Sequence, residues 1–573
     1  MTERTFPGEP RTRNPTIERY RAMLSGFLAG CVALTILLGV MLISGQPGFL
    51  EAVSDGFTRY IPLDLFEKGI QAFGPLAKGF LFAGVCVGVA VAGALVGLRA
   101  SRIRLRAGPL ADALTVAVAA LVIAEVVVLP IFQAGFFGSS LLGDRIAFHL
   151  PLMVASLAYG LVLIGLREAW APAPLAADSA TGASDGVTSL PRRTFLGRAL
   201  LAVGWLSLAG TAVAVLAEFG RVGRPLNGGA PGGGAAASPG SSPLPGSSPA
   251  PGTSAAPGSS ADSGGVGDRF GPTPALTPVD SFYVVQKNFF SPTVDGSTWR
   301  LRVDGLVNNP TDWTLDTLRA LPAQTDYRTL ECISNDVPSG GSLIGNQHWT
   351  GVRLTDLLDK AGVQPAASFI LWQAADGYTE SLPLDVARGT DVWIAYEMNG
   401  APLTTDHGFP ARVLIPGRFG MKQPKWLTRI QLADHDEQGY WEQRGWDEQA
   451  FVRNMSRIDS PSYGSTVQAG NPLAVTGVAY SGNRGIARVE LSPDDGATWM
   501  DAALDDATKA PLGPLTWVRW RADVTLPAAA AGSTVRFVVR ATSAGGQVQD
   551  GNVTAPLPSG STGWHAVRVA VVA

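Results

Sequence analysis

Apolar and polar positions are distributed unevenly along the chain. Met23 to Ser44 contains no charged residue and is almost wholly apolar, and the pattern returns at Gly79 to Leu98, Ala113 to Phe132, Ile146 to Leu166 and Ala199 to Leu216. A helix of roughly 20 such residues is long enough to cross the hydrocarbon core of a bilayer. The five runs therefore predict five spanning helices in a membrane region of residues 1–220. Beyond them, residues 221–272 are dominated by Gly, Pro, Ser and Ala, most purely from Asn227 to Gly267. Such a segment cannot bury enough apolar surface to fold. It predicts a tether, and about 40 residues of it have a root-mean-square reach of roughly 35 Å.

From residue 273 the texture changes to short strands, turns and helices. Trp299 to Val307 alternates like a strand, Leu354 to Lys360 reads as a helix, and Phe369 to Gln373, Asp391 to Tyr396 and Val413 to Ile415 read as buried strands. An α+β domain is expected over residues 273–452. Residues 453–573 alternate in short runs split by Gly, Asn and Asp, with strands at Gly477–Gly482, Ile486–Glu490, Trp517–Val524 and Thr534–Ala541. They predict an all-β sandwich of immunoglobulin type. The fold class is thus multi-domain: an α-helical membrane region, an α+β domain and an immunoglobulin-like sandwich.

Charge orients this layout. Arg11, Arg13, Arg19 and Arg21 precede the first run. Arg99, Arg102, Arg104 and Arg106 separate the second and third, and Arg167, Arg192, Arg193 and Arg198 the fourth and fifth. The two other loops contain acids such as Glu51, Asp55, Asp64 and Asp144. By the positive-inside rule the N-terminus is cytoplasmic, and everything after Leu216 lies outside, on the outer face of the cell membrane. Pro191-Arg192-Arg193-Thr194-Phe195-Leu196 leads into the fifth run and resembles a twin-arginine export signal, although an ordinary basic flank has the same composition. Glu125 and His149 are ionisable groups at membrane depth and are expected to pair across the third and fourth runs. His149 is the sole histidine before His348, and no Cys-x-x-Cys-His occurs, so neither membrane haem b nor haem c is expected.

Overall composition narrows the chemistry. The chain has 573 residues, 46% hydrophobic and 16% charged, and a formal net charge of −3, which argues against a nucleic-acid partner. Cys31 and Cys86 lie in apolar runs; Cys332 is alone in the polar half, so no disulfide can form there and its thiol is available as a ligand.

The segment Ala395-Tyr396-Glu397-Met398-Asn399-Gly400-Ala401-Pro402-Leu403, then Asp406-His407-Gly408-Phe409-Pro410-Ala411-Arg412, Pro416-Gly417 and Lys425-Trp426-Leu427, closely resembles the molybdopterin domain of sulfite oxidases and assimilatory nitrate reductases. Thr329-Leu330-Glu331-Cys332-Ile333-Ser334-Asn335 is similar to that family's metal-binding turn, and Asp376-Gly377-Tyr378 to its active-site tyrosine segment. The resemblance runs from Val279 to Ala573. It implies a molybdenum–molybdopterin cofactor with Cys332 as metal ligand and Tyr378 beside the metal. It places Asn288, His407, Arg412 and Lys425 at the pterin and its phosphate, Lys287 and Arg444 at a substrate anion pocket, and a dimerisation domain at the C-terminus. A planar guanidinium such as that of Arg412 suits a phosphate.

One departure bears on the substrate. Sulfite oxidases follow the metal cysteine with Ala-Gly-Asn and two arginines; here the run is Ile333-Ser334-Asn335-Asp336-Val337. Losing one partner of a desolvated charge pair costs on the order of 2–5 kcal/mol, so sulfite itself is not expected as substrate. The expected activity is two-electron oxygen-atom transfer on a small molecule, with a sulfur compound as substrate or, alternatively, reduction of an S-oxide or N-oxide. A tethered binding module without turnover is the reading from another class, and the set Cys332, Tyr378 and Arg412 speaks against it. The sequence shows no second redox centre, so a separate electron-transfer partner is expected.

Overall fold

The computed structural model describes residues 15–44, 48–58, 60–61, 65, 76–100, 108–132, 134–138, 145–170, 192–222, 268–288 and 291–573. The tether, the flanking residues Arg11, Arg13, Arg102, Arg104 and Arg106, the acids Asp64 and Asp144, and Phe289 lie outside these residues.

The N-terminal half is helical: α1 (Pro15–Ser44), α2 (Phe49–Thr58), α3 (Leu76–Ala100), α4 (Pro109–Ile123), α5 (Arg145–Ala169) and α6 (Arg192–Val222). Four segments, Thr16–Ser44, Gly79–Ala100, Pro109–Ile131 and Phe148–Ala169, are long and apolar enough to cross a membrane. The fifth expected span is a helix, but its described apolar stretch, Gly197–Val213, is shorter than these. Helices α1 and α3 meet closely: a Cβ on Gly26 would lie 2.2 Å from the Gly93 carbonyl oxygen. Small residues permit such approach where lipid offers no hydrophobic drive between helices. α4 continues through a π-turn, Ala124–Val128, in which the Leu129 N–H reaches back to the Ala124 carbonyl. Pro130 removes the next helical donor, and wide turns of this kind absorb such losses.

The α+β domain contains two sheets. One has the order β2-β1-β10-β5-β6, from Thr311–Trp313, Leu301–Gly305, Leu427–Ala433, Phe369–Ala374 and Thr379–Pro383. The other has the order β3-β4-β7-β8, from Gln324–Glu331, Ile344–Arg353, Trp393–Met398 and Ala401–Pro402, with β9 (Arg412–Leu414) paired to β7. Leu301, Val303, Trp372 and Ile430 from the first sheet share a buried core with Val352, Ile394 and Val413 from the second. The helix Leu354–Ala361 covers that core with Leu354, Leu357, Leu358 and Ala361, the spacing of one helical face.

The C-terminal domain is a two-sheet sandwich. One sheet has the order β11-β13-β17-β16, from Met455–Ser460, Pro472–Tyr480, Val518–Thr525 and Ala503–Leu504, and the other β12-β19-β18-β14-β15, from Thr466–Gln468, His565–Val572, Thr534–Ser543, Ile486–Ser492 and Met500–Asp501. Strand β19 shows the reason for the fold: Val567, Val569 and Val571 are buried and alternate with Arg568, Ala570 and Val572. A further cluster joins this domain to the segment after Cys332, with Ile333, Val337 and Ile344 packed on Met455, Val478, Tyr480 and Trp517.

Candidate active site

Cys332 follows directly on β3. Its N–H donates to the Leu343 carbonyl at 3.0 Å, and its carbonyl accepts from the Asn335 N–H at 3.0 Å, which closes a tight turn. Asn335 holds that turn from inside: its amide donates to Glu331 Oε1 at 2.9 Å and its Oδ1 accepts from Leu343 N–H at 2.9 Å. The C-terminal domain holds it from outside. Ser561 Oγ donates to the Asn335 carbonyl at 2.7 Å and accepts from the Val337 N–H at 3.0 Å. The Cys332 thiol is 7% exposed and lies 3.0 Å from Ser334 Oγ. Burial raises its pKa, and the Ser334 hydrogen bonds oppose that rise.

The residue types after Cys332 are set in place by this packing. Val337 is buried against the C-terminal domain, whereas Asp336 is exposed. An exposed carboxylate acts on a ligand through water and salt, so the repulsion expected from Asp336 is screened.

Near Cys332 lie three of the four residues expected at the pterin, Arg412, His407 and Lys425. Arg412 starts β9, is 5% exposed, stacks 5.3 Å from the Trp349 ring centre and donates to the His407 carbonyl at 3.3 Å. Its Nε has no hydrogen-bond partner, and burial pulls its pKa down to about 10. A buried guanidinium with an open donor suits an anionic group such as a phosphate. His407 Nε2 is 3.2 Å from the Val279 carbonyl, which can only accept. The ring proton therefore sits on Nε2, leaving Nδ1 as an acceptor. Burial, then Arg412, pulls the His407 pKa down to about 4, so the ring is neutral. Lys425 Nζ donates to the Asp406 carbonyl at 2.8 Å. Phe282 stacks on Tyr283 at 5.0 Å and meets His407 edge-on at 5.3 Å. Burial, then Cys332, holds the Tyr283 hydroxyl well above its ordinary range.

A second group, which includes Asn288, is tied to the thiol through Tyr378. Lys287 Nζ donates to Asn288 Oδ1 at 2.9 Å, and Asn288 Nδ2 donates to Asp376 Oδ2 at 3.0 Å. Asp376 Oδ1 accepts from the Tyr378 N–H at 3.0 Å, so one carboxylate ties the expected pterin and tyrosine segments together. Tyr378 is buried and its O–H donates to the Met421 carbonyl at 2.6 Å. Its oxygen thus offers lone pairs, and it can donate to a metal-bound group or a substrate only by leaving Met421. The Tyr440 ring lies 5.7 Å from that of Tyr378, with Lys287 5.2 Å and the Arg444 guanidinium 3.5 Å from its centre. Arg444 Nε and Nη2 have no hydrogen-bond partner, and burial lowers its pKa.

Behind Tyr378 sits a buried triad. Lys422 Nζ donates to Glu442 Oε1 at 2.5 Å and to Glu380 Oε2. Burial pushes Glu380 up to about 8; burial also opposes the Lys422 charge, but the two carboxylates outweigh it and raise the lysine.

Of the eight residues expected from the sequence, Cys332 is the thiol itself and the other seven fall into these two groups. Tyr440, Asp376, Lys422 and Glu380 were missed, as was the role of Asn288 in holding Lys287. Asp376 opens the motif that contains Tyr378, and Tyr440 stands beside Trp441-Glu442-Gln443-Arg444. Asp376 already lay within its motif, and Tyr440 could have been found by extending the other motif by one residue. Lys422 and Glu380 are far apart in sequence and had no local signal. In the helical half, Glu125 and His149 pair as expected, with His149 Nδ1 2.7 Å from Glu125 Oε1.

Comparison with known proteins places this geometry. A family model described as "Oxidoreductase molybdopterin binding domain" matches residues 288–441, and one described as "Mo-co oxidoreductase dimerisation domain" matches residues 449–572. Mitochondrial sulfite oxidase of Drosophila melanogaster is 33% identical over 289 residues, which are 43% of this chain and 50% of that one. The chain therefore spans half the length of this relative. Sulfite oxidase of Gallus gallus is 30% identical over 336 residues, covering 51% of this chain and 72% of that one. Among solved structures, the sulfane dehydrogenase SoxCD from Paracoccus pantotrophus matches at 26% identity and a TM-score of 0.42, over 48% of this chain and 75% of that one. From Asn288 to Val572 sequence motif, buried thiol and family match coincide, and the chain belongs to the sulfite oxidase family of molybdenum-cofactor oxidoreductases.

Proposed function

We propose that this protein is a membrane-anchored enzyme that transfers an oxygen atom to a sulfur compound on the outer face of the cytoplasmic membrane. The observation that carries the reading is the gathering near Cys332 of two different groups: the cations Arg412 and Lys425, and the cluster of Tyr378, Tyr440 and Arg444. The molybdenum cofactor, when bound, supplies the two-electron redox step. Oxidation of the substrate takes its oxygen from water and releases two protons and two electrons, and the electrons pass to a separate partner.

In this reading the Cys332 thiolate ligates the metal, and metal binding offsets the burial that otherwise keeps the thiol protonated. Arg412 and Lys425 hold the cofactor phosphate. Neutral His407 accepts a hydrogen bond from the pterin at Nδ1. Lys287, Tyr378 and Arg444 face the substrate, and Asn288 keeps Lys287 and Asp376 in register beside the pterin. The apolar helices anchor the protein, and the Gly/Pro/Ser/Ala tether joins them to the catalytic half. The C-terminal sandwich, read as immunoglobulin-like, forms a homodimer, in keeping with the dimerisation family it matches. Reduction of an S-oxide or N-oxide is the second reading; the apolar Val337 in place of a basic residue favours it, because it removes one cation that a dianion needs.

The test is metal analysis with dye-linked turnover of the full chain from a host that makes the cofactor. The expected result is close to one molybdenum per chain, with a neutral sulfur compound turned over faster than sulfite. Protein without molybdenum would overturn the enzymatic reading, and fast sulfite turnover would overturn the substrate reading.

A further inference from the structure

Helix α2 belongs to the N-terminal half, yet its Asp55 reaches Tyr440 and Arg444 of the candidate active site. The Tyr440 hydroxyl donates to Asp55 Oδ1, and Arg444 Nη2 lies 3.6 Å from the same oxygen. These two donors come from the pocket wall that also contains Lys287 and Tyr378. A single carboxylate oxygen thus accepts a hydrogen bond from a phenol and forms an ion pair with a guanidinium, the groups an oxyanion of a substrate would use.

Several features present Asp55 there. Phe49, Leu50 and Val53 are buried against the other helices. A Cβ on Gly56 would lie 2.1 Å from the Phe132 carbonyl oxygen, so α2 sits hard against the end of the third apolar segment. Phe57 and Phe132 add a ring contact at 6.3 Å, and the Tyr60 hydroxyl donates to the Ile131 carbonyl. The Asp55 side chain remains 24% exposed while that of Arg444 is 7% exposed. The basic-residue pattern independently places the loop holding Asp55 on the same side of the membrane as the catalytic half.

We propose that Asp55 is a specificity-determining residue contributed by the membrane half: seated on Arg444 and Tyr440, its carboxylate occupies the anion subsite of the pocket and excludes anionic substrates, leaving the pocket to neutral sulfur compounds. The proposal rests on the reading of Arg444 as the anion-side arginine. It also accounts for how a pocket with Lys287 and Arg444 can disfavour a dianion when the Asp336 carboxylate is exposed and screened.

Inorganic sulfate is the probe, and its dissociation constant is measured on the full-length, molybdenum-loaded protein in detergent. Asp55→Asn should tighten sulfate binding about tenfold, the change that follows from removing one competing charge worth about 1.4 kcal/mol. Asp55→Glu, which keeps the charge, should bind as weakly as the unmodified protein. In the Asp55→Asn background, Arg444→Gln should abolish the gain. If Asp55→Asn leaves sulfate affinity unchanged while Arg444→Gln lowers it, Asp55 does not occupy the subsite and the proposal is overturned, with the arginine assignment intact. If Arg444→Gln has no effect in either background, the arginine assignment fails and takes the proposal with it. Molybdenum content and thermal unfolding of each variant exclude a loss of fold as the cause.

Discussion

A thiol buried as deeply as Cys332 resists ionisation, because the loss of the thiolate's hydration outweighs the Ser334 hydrogen bonds and the charge of Lys425. Its turn is nevertheless held by Asn335 and Ser561, none of whose bonds involves the sulfur. Cys332→Ser should therefore abolish turnover while moving unfolding stability by less than about 1 kcal/mol, since one near-isosteric atom is exchanged. Dye-linked activity and thermal unfolding, measured on the same preparation, check this; an active serine variant would remove the ligand assignment. His407 and Arg412 illustrate the same logic in reverse. Their burial lowers both pKa values, leaving a neutral ring and a guanidinium with an open donor, both suited to a polar cofactor.

At the level of elements, the pocket wall depends on a buried charge triad. Lys422 follows a short turn after β9, Glu380 lies on β6, and Glu442 lies just after Tyr440. One ammonium holds the three segments together around Tyr378, whose hydroxyl bonds the carbonyl of Met421 next door. Replacing Lys422 by Met would leave two buried carboxylates facing each other. Removing one partner of such a pair costs about 3–5 kcal/mol. Chemical denaturation of Lys422→Met should show a loss of that size, and a loss below about 1 kcal/mol would mean that the carboxylates are solvated or protonated at little cost. A triple change of Lys422, Glu380 and Glu442 to apolar residues should recover much of the stability, because it removes the desolvation cost along with the attraction.

On the scale of the whole molecule, the C-terminal domain does more than follow the catalytic one. Ser561 clamps the Cys332 turn, and the Tyr480 hydroxyl donates to the Thr329 carbonyl on β3 at 2.9 Å. Loosening this domain therefore loosens the site. His565 supplies an acid-sensitive point within it: Nδ1 accepts from the Ile458 N–H at 2.9 Å, joining β19 to β11. Burial pulls its pKa down from 6.5 to about 4. Above pH 6.5 the ring is neutral in both folded and unfolded chains. Between pH 6.5 and 4 only the unfolded chain takes the proton, so stability falls as the pH drops through that window. The full loss is on the order of 3 kcal/mol, since each pH unit of the window contributes about 1.4 kcal/mol. His565→Gln, which keeps an acceptor without a titrating group, should flatten the decline when unfolding is followed across that range. An unchanged pH profile would place the sensitivity elsewhere.

Much of this organisation was legible in the sequence because it rests on local pattern. Unbroken apolar runs marked the four long helices, alternation marked the strands of the sandwich, and contiguous motifs brought out Cys332, Tyr378, His407, Arg412 and Lys425. Even the Glu125–His149 pair followed from two ionisable residues at matching depth in adjacent apolar runs. What lay beyond reach had no local signature. The Lys422 triad, the Ser561 clamp and the Asp55 contact join residues separated by 20 to 385 positions. The sequence showed Asp55 only as an acid in a loop and Asp336 as an acid near the metal. Hydrophobic periodicity by itself predicted the long helices and the strands, and the resemblance of the contiguous motifs implied the cofactor. Only the tertiary structure decided which of the two carboxylates meets the pocket, because burial and direction depend on what packs against a residue from elsewhere in the chain.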